Sequence, residues 1–339
     1  MSTPVPVARI VRDPAWLAHR YDPPADAVHF RYVPRVTHRA ATFLTDEHLP
    51  AGDPVVLPLA DSIAAMPPPA PVHFLFHSAF CLSTLLARAF DVEGLATGVP
   101  EPVILNDLVG WKRRGADPRG VARGLDGAMA LLARPFAAGE AVIVKPSNIV
   151  NPLALAMLAM RPQAKALLLH APLRTFLGSV ARKGMWGRLW VRELFVGQLQ
   201  DGIVDLGFAA DRYLEQTDLQ IAALGWLAQQ ALFARLVERV GPARVRTLDS
   251  DRLLAAPRDA VAALARLFGL ACDAGAIIAG PAFTRHSKTG ASFGQDARAE
   301  ERRTGEQPHA DEIEKVAIWA EAVAAGAGVP LRLPAPLLG

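Results

Sequence analysis

The stretch VHFLFHSAFCLSTLLARAFD, Val72 to Asp91, decides the fold. Its first five residues, Val72 to Phe76, are an apolar run of the length of a strand buried on both faces. His77 to Ser83 follow as a short loop, and a helix-like segment opens with Thr84. Strand, tight loop and helix is how α/β proteins set backbone N–H groups and a helix N-terminus against phosphate or sulfate oxygens. Ser83 and Thr84 stand where hydroxyls meet the anion in such loops. Between His77 and Arg88 there is neither Gly nor Lys. A kinase or ATPase loop has Gly, four residues, then Gly-Lys-Ser/Thr, so that class fails on its two key residue types. A thiol phosphatase needs five residues between its Cys and Arg; six separate Cys81 from Arg88.

The rest of the chain bounds what this loop can serve. Its 339 residues, 51% apolar and 20% charged, suffice for one large or two ordinary domains and exclude a disordered chain. The net charge of +3 comes with arginines spread along the sequence. That suits a small anion and excludes a nucleic-acid coat, which needs a concentrated basic face. Cys81 and Cys272 are too few and too far apart for a disulfide framework or a zinc site, and the nine histidines show no ligand spacing. His73 and His77, four apart on a strand, are expected to fill space or cap hydrogen bonds. No positive-then-apolar signal opens the chain and no apolar stretch reaches about 18 residues. A cytoplasmic protein of an Ala/Arg-rich bacterial proteome, without membrane insertion, is the expectation.

Three units are expected. Residues 1–66 read as a β-rich cap, with strands at Val28–Arg35, Ala41–Leu44 and Pro54–Leu59, closed by the stiff MPPPAP linker. Residues 67–294 alternate strand and helix. The strands are Val72–Phe76, Ala141–Val144, Ala166–Leu169 and Val245–Leu248. Helices are placed at Ser83–Asp91, Pro118–Ala133, Pro152–Met160, Leu173–Lys183, Asp218–Val240 and Arg258–Phe268. Such alternation predicts α/β architecture, a central parallel sheet with helices on both faces. Residues 295–339 form a charged, then helical, tail packed on it.

Four further segments carry a resemblance. They are PEPVILNDL (Pro100 to Leu108), VIVKPSNIVNPLALAMLAMRPQAKALLLHAPLRTFLGSVARKG (Val142 to Gly184), RVRTLDSDRLLAAPRDAVAALARLFGL (Arg244 to Leu270) and RHSKTG (Arg285 to Gly290). Taken with the first stretch in this order, they resemble the PAPS-dependent sulfotransferases, in particular their diverse bacterial branch, from about Val72 to Gly290. The best-matching part runs from Thr247 to Leu270, with the acidic turn Asp249-Ser250-Asp251 and with Pro257, Phe268, Gly269 and Leu270. The resemblance implies a P-loop nucleotide-binding fold. It also implies 3′-phosphoadenosine 5′-phosphosulfate as co-substrate, no metal, and a small-molecule or peptide acceptor.

By that resemblance Cys81, Leu82, Ser83 and Thr84 would hold the 5′ end of the nucleotide. Arg174 and Ser179 would hold its 3′-phosphate, with His170 a competitor for Arg174, and Lys288 would close on it. Arg174 is favoured because a guanidinium fork suits a phosphate. The chain departs from the family at two places. Phe80 stands at the loop's Lys or Arg, so Lys145 is expected to reach in from the neighbouring strand end. Asn148 stands at the general-base His and cannot accept a proton, so Glu101 is expected to take that role. Sulfuryl transfer is an in-line displacement that needs positioning and charge stabilisation more than covalent help. The rival expectation is a catalytically inactive member that binds a nucleotide or a protein partner. Trp186 and Trp190, four apart, are expected to pack in a core or to line a hydrophobic acceptor site. Acceptor identity and oligomeric state are not readable.

Overall fold

The computed structural model describes residues 6–284 and 309–339. Five parallel strands form the central sheet: β4 (Val72–His77), β5 (Ala96–Pro100), β6 (Ala141–Lys145), β7 (Ala166–His170) and β8 (Val245–Asp249), in the order β5-β6-β4-β7-β8. Every residue of β4 to β7 is buried, as expected for a parallel sheet covered on both faces. Phe74, Leu75 and Phe76 are almost wholly withdrawn from water, each contributing roughly 1.5–3 kcal/mol. From β4 the chain crosses towards β5, and from its neighbour β7 it crosses the other way, towards β8. The C-terminal ends of β4 and β7 therefore flank a topological switch point, where open α/β sheets bind ligands.

Helices of eight residues or more among the described residues are α1 (Ser83–Phe90), α2 (Val103–Arg113), α3 (Pro118–Leu132), α4 (Leu173–Arg182), α5 (Gly184–Gln200), α6 (Asp218–Val240), α7 (Pro257–Phe268) and α8 (Ala310–Ala327). Local chemistry sets their ends. Asp117 accepts from the Gly120 N–H and Pro118 opens α3; Thr217 and Gln220 form a capping box on α6. Gly269, at φ 71°, ends α7, and the Leu270 N–H returns to the Ala265 carbonyl. The acidic turn Asp249-Ser250-Asp251 has a structural task here: Asp249 Oδ1 caps the helix Ser250–Ala255 by accepting from the Asp251 N–H at 2.7 Å. Phe268 stacks on His73 with ring centres 4.8 Å apart.

A second sheet of three antiparallel strands, β1 (Trp16–Asp22), β2 (Ala27–Tyr32) and β3 (Val55–Pro58), lies in the first 66 residues. Its apolar face shares one core with β4, β6, α2 and α3. The cap expectation needs correcting in detail. β1 was not foreseen, and Ala41–Leu44 is irregular chain whose Leu44 N–H donates to the Pro100 carbonyl. Short helices occupy Val7–Arg12, Arg35–Ala40 and Leu59–Ala64. In the main unit β5, α2 and α5 were not foreseen either.

The last residues run along the outer edge of β8. Thr247 donates to the Ala335 carbonyl and accepts from the Leu337 N–H, bridging in parallel to Pro336. α8 packs on α6 and α4. No helix of the described residues is long and apolar enough to cross a membrane.

Candidate anion site at the end of the central strand

The loop from β4 into α1 takes a strained path. Ala79, Phe80 and Leu82 all have left-handed backbone, at φ 70°, 50° and 67°. A residue with a Cβ pays on the order of 1 kcal/mol or more for that conformation. Packing against β7 holds the loop in place: the Ser78 N–H and the Cys81 thiol both donate to the Leu169 carbonyl, and Ser78 Oγ accepts from the Ala171 N–H. His77 Nδ1 accepts from the Ala79 N–H at 3.1 Å. Left-handed residues in a tight loop can turn neighbouring N–H groups to one side. The N–H groups of Phe80, Leu82 and Thr84 have no acceptor among the described residues, and the Ser83 and Thr84 side chains are buried beside them. Donors without acceptors, at the start of a helix and beside a switch point, are a candidate place for an anion. Cys81 is no nucleophile, because burial pushes its thiol up to about 11.

Towards β5 and β6 lies a buried charge cluster. Lys145, the last residue of β6, is completely buried, and its ammonium is paired with Glu101 just past the end of β5. It also lies over the Phe43 ring, 5.1 Å from the centroid. Burial pulls the Lys145 pKa below that of an ordinary lysine, and the Glu101 carboxylate opposes the shift. Glu101 has left-handed backbone at φ 48°, fixed by its N–H on the Lys145 carbonyl at 2.6 Å. With His77 Nδ1 accepting, the neutral ring carries its proton on Nε2, 3.7 Å from Glu101 Oε1. Asn148 is buried, and its Nδ2 has no partner among the described residues. Asn151 ties this cluster to α6, donating to the His77 carbonyl at 2.9 Å and to Gln229 Oε1 at 2.7 Å.

Towards β7 and β8 the picture is different. Arg174, on the first turn of α4, is half-exposed and grips two carboxylates of α8, Glu314 and Glu321, at 2.6–2.8 Å. Those bonds raise its pKa further. Ser179 is buried, donating to the Thr175 carbonyl and accepting from Arg182. His170 is buried, and burial holds its pKa below the ordinary histidine value. Arg174 and Arg182 are the guanidinium groups on this side, and Arg182 is the one that touches Ser179. Lys288 lies outside the described residues.

The structure thus brings Cys81, Leu82, Ser83, Thr84, Lys145, Glu101 and Asn148 to the C-terminal ends of β4, β5 and β6, and Arg174 and Ser179 to the β7 side. Sequence reasoning did not single out Phe43, Asn151 or Gln229, and it read His77 only as a spacer or cap. His77 does cap the loop, and its position at the strand end was the available signal for more. Trp186 is exposed, not core, and stacks on Trp190 with centroids 6.2 Å apart. Among the described residues no group of three or more His, Cys, Asp or Glu side chains could hold a metal ion.

No family model and no curated protein matches the chain. Two solved structures are similar over 68% of it. One is a sulfotransferase domain from the Synechococcus PCC 7002 olefin synthase, at 15% identity over 83% of that chain and a TM-score of 0.40. The other is a sulfotransferase domain from the curacin biosynthetic pathway, at 14% identity over 82% of that chain and a TM-score of 0.40.

Proposed function

We propose that this chain is a sulfotransferase-like enzyme that moves a sulfuryl group from 3′-phosphoadenosine 5′-phosphosulfate to a hydroxyl or amine acceptor. The observation that carries this reading is the set of acceptor-free N–H groups of Phe80, Leu82 and Thr84 at the end of the central strand. The nucleotide would supply an already activated sulfuryl group. The chain's own work is then electrostatic and positional. The loop N–H groups and the Ser83 and Thr84 hydroxyls hold peripheral oxygens. Lys145 supplies the positive charge that Phe80 does not, and Asn148 Nδ2 donates one more hydrogen bond. Glu101 takes the acceptor's proton, leaving the Lys145 ammonium free to turn to the developing anion. Arg174 and Ser179 hold the 3′-phosphate, with Lys288 beside it. Arg174 must first exchange Glu314 and Glu321 for the phosphate, so nucleotide binding would loosen α8 from α4.

Calorimetric titration with adenosine 3′,5′-bisphosphate tests the reading. Binding in the micromolar range is expected, and no binding at millimolar ligand would end it. Replacing Glu314 and Glu321 by Gln should raise bisphosphate affinity several-fold, because it removes two competitors for Arg174; unchanged affinity would take Arg174 out of the site. Glu101→Gln should keep bisphosphate affinity but reduce sulfate transfer on the order of 10²-fold or more. A second reading, a catalytically inactive nucleotide binder, is favoured by the grip of Glu101 on Lys145. Bisphosphate binding without transfer of radiolabelled sulfate to any of a broad acceptor panel would select it.

A further inference from the structure

The peptide between His77 and Ser78 is the last one before the left-handed residues of the loop, and it is pinned from both sides. Its Ser78 N–H donates to the Leu169 carbonyl of β7 at 3.1 Å. In a trans peptide the carbonyl points the opposite way, here towards β6. β6 pairs with β4 only as far as Phe74, so the ladder has ended on that side before His77. Asn151 takes its place. It lies in the 3-10 helix Asn148–Leu153 that follows β6, and its Nδ2 donates to the His77 carbonyl at 2.9 Å.

Two further carboxamides stand behind Asn151. A carbonyl only accepts, so the amide orientations are fixed at both ends of the row. Asn151 presents Nδ2 to His77 and gives its second hydrogen to Gln229 Oε1 on α6 at 2.7 Å. Gln198 on α5 presents Nε2 to the Gly225 carbonyl at 3.2 Å. This leaves one donor, Gln229 Nε2, and one acceptor, Gln198 Oε1, neither with a partner among the described residues. Both side chains border a small cavity with room for about one water molecule, walled otherwise by Ser78 and apolar groups. A water there accepts from Gln229 and donates to Gln198, which completes the row from α5 to the His77 carbonyl.

Packing alone does not require this arrangement. Asn151, Gln198 and Gln229 are almost wholly buried, and buried amides gain little over apolar side chains of the same volume. What they add is direction, because an apolar group cannot hold a carbonyl. Ala79, Phe80 and Leu82 adopt left-handed backbone without being glycine, so contacts outside the loop must hold it. We infer that Asn151 is a positioning residue. With Gln229, one bound water and Gln198 behind it, it fixes the 77–78 peptide and so aims the N–H groups of Phe80, Leu82 and Thr84 at an anion. The identity of that anion rests on the proposed transferase reading; the pinning of the peptide does not.

The test uses the full chain and two variants. Asn151→Ala removes the donor. Gln229→Met keeps the length of the side chain and removes its amide, a swap in a helix interior that should fold. Amide exchange, followed by NMR, is read beside titration with adenosine 3′,5′-bisphosphate. In Asn151→Ala the Ser78 and Ala79 amides, both hydrogen-bonded in the parent, should exchange on the order of ten-fold faster. Amides of β5 and β8 should keep their rates, and bisphosphate affinity should fall by a similar factor. Gln229→Met should show the same pattern, with a smaller change. Unchanged exchange at Ser78 and Ala79 overturns the inference, as does a rise shared equally by the whole sheet, which is general loosening. If the parent binds bisphosphate, affinity and exchange must move together, and either one moving alone overturns the inference. A parent that binds no bisphosphate removes the transferase reading, and the exchange rates alone then decide the positioning role. A crystal structure without an ordered water between Gln229 and Gln198 overturns the part given to the water.

Discussion

The two sides of the central strand hold similar charges in opposite ways. On the β5–β6 side, Lys145 is withdrawn from water, lies over the Phe43 ring and meets the mostly buried Glu101. On the β7–β8 side, Arg174, Glu314 and Glu321 meet in solvent, each more than a third exposed. An exposed ion pair contributes about 0–1 kcal/mol, because water screens it and long side chains must be ordered. A buried one has already lost its hydration, so removing either partner strands the other. The first side is therefore rigid and intolerant of substitution. The second can exchange partners at little cost.

If burial sets these costs, acid should show the largest effect. Burial lowers His38 and His73 from 6.5 to about 4, and both are expected neutral in the fold. Between those values the unfolded chain binds more protons than the folded one, so stability is full above about pH 6.5 and is lost as pH falls to about 4. Each histidine removes roughly 3 kcal/mol over that window, readable from urea midpoints at stepped pH. A flat profile from pH 7 to 4 would break the comparison.

Next in size, Lys145→Met should cost about 3–5 kcal/mol by stranding Glu101, and adding Glu101→Gln should restore more than half of it. If the double variant is no more stable than the single one, the pair is not coupled. Ala79→Gly relieves left-handed backbone in the loop and should raise stability by about 0.5–1 kcal/mol, a gain of a few degrees in melting temperature. The smallest change belongs to the exposed side. Arg174→Ala should alter stability by about 1 kcal/mol or less, and that difference should vanish in 1 M salt. A larger, salt-insensitive loss would place Arg174 among the buried charges.

The strands β4, β6 and β7 were legible because burial on both faces leaves them almost wholly apolar, His73 excepted; β8 was legible from Val245 and Leu248 despite Arg246 and Thr247 between them. β5 was not, because ATGVP carries a Gly and a Pro; Gly98 is accepted where a Cβ would lie 3.1 Å from the Asp91 side chain. α5 was hidden by its composition, since Met185, Trp186, Leu189 and Val196 are exposed and blur the apolar stripe. At the site, Lys145 and Glu101 could be named from their places after strands, but their pairing belongs to the register that sets Pro100 beside Lys145. The loop's left-handed turns were unreadable for a plainer reason. Ala79, Phe80 and Leu82 do what glycine usually does, and only tertiary packing makes them do it.

The segment along the outer margin of β8 has a consequence for solubility. Pro334 and Pro336 have no N–H to offer, so the last ribbon laid on the sheet cannot itself seed a continuous further strand. The sheet is terminated by a piece of chain that accepts no successor. A chain cut back before Pro334 would leave Thr247 with open hydrogen-bonding groups and a bare rim on which neighbouring molecules can assemble.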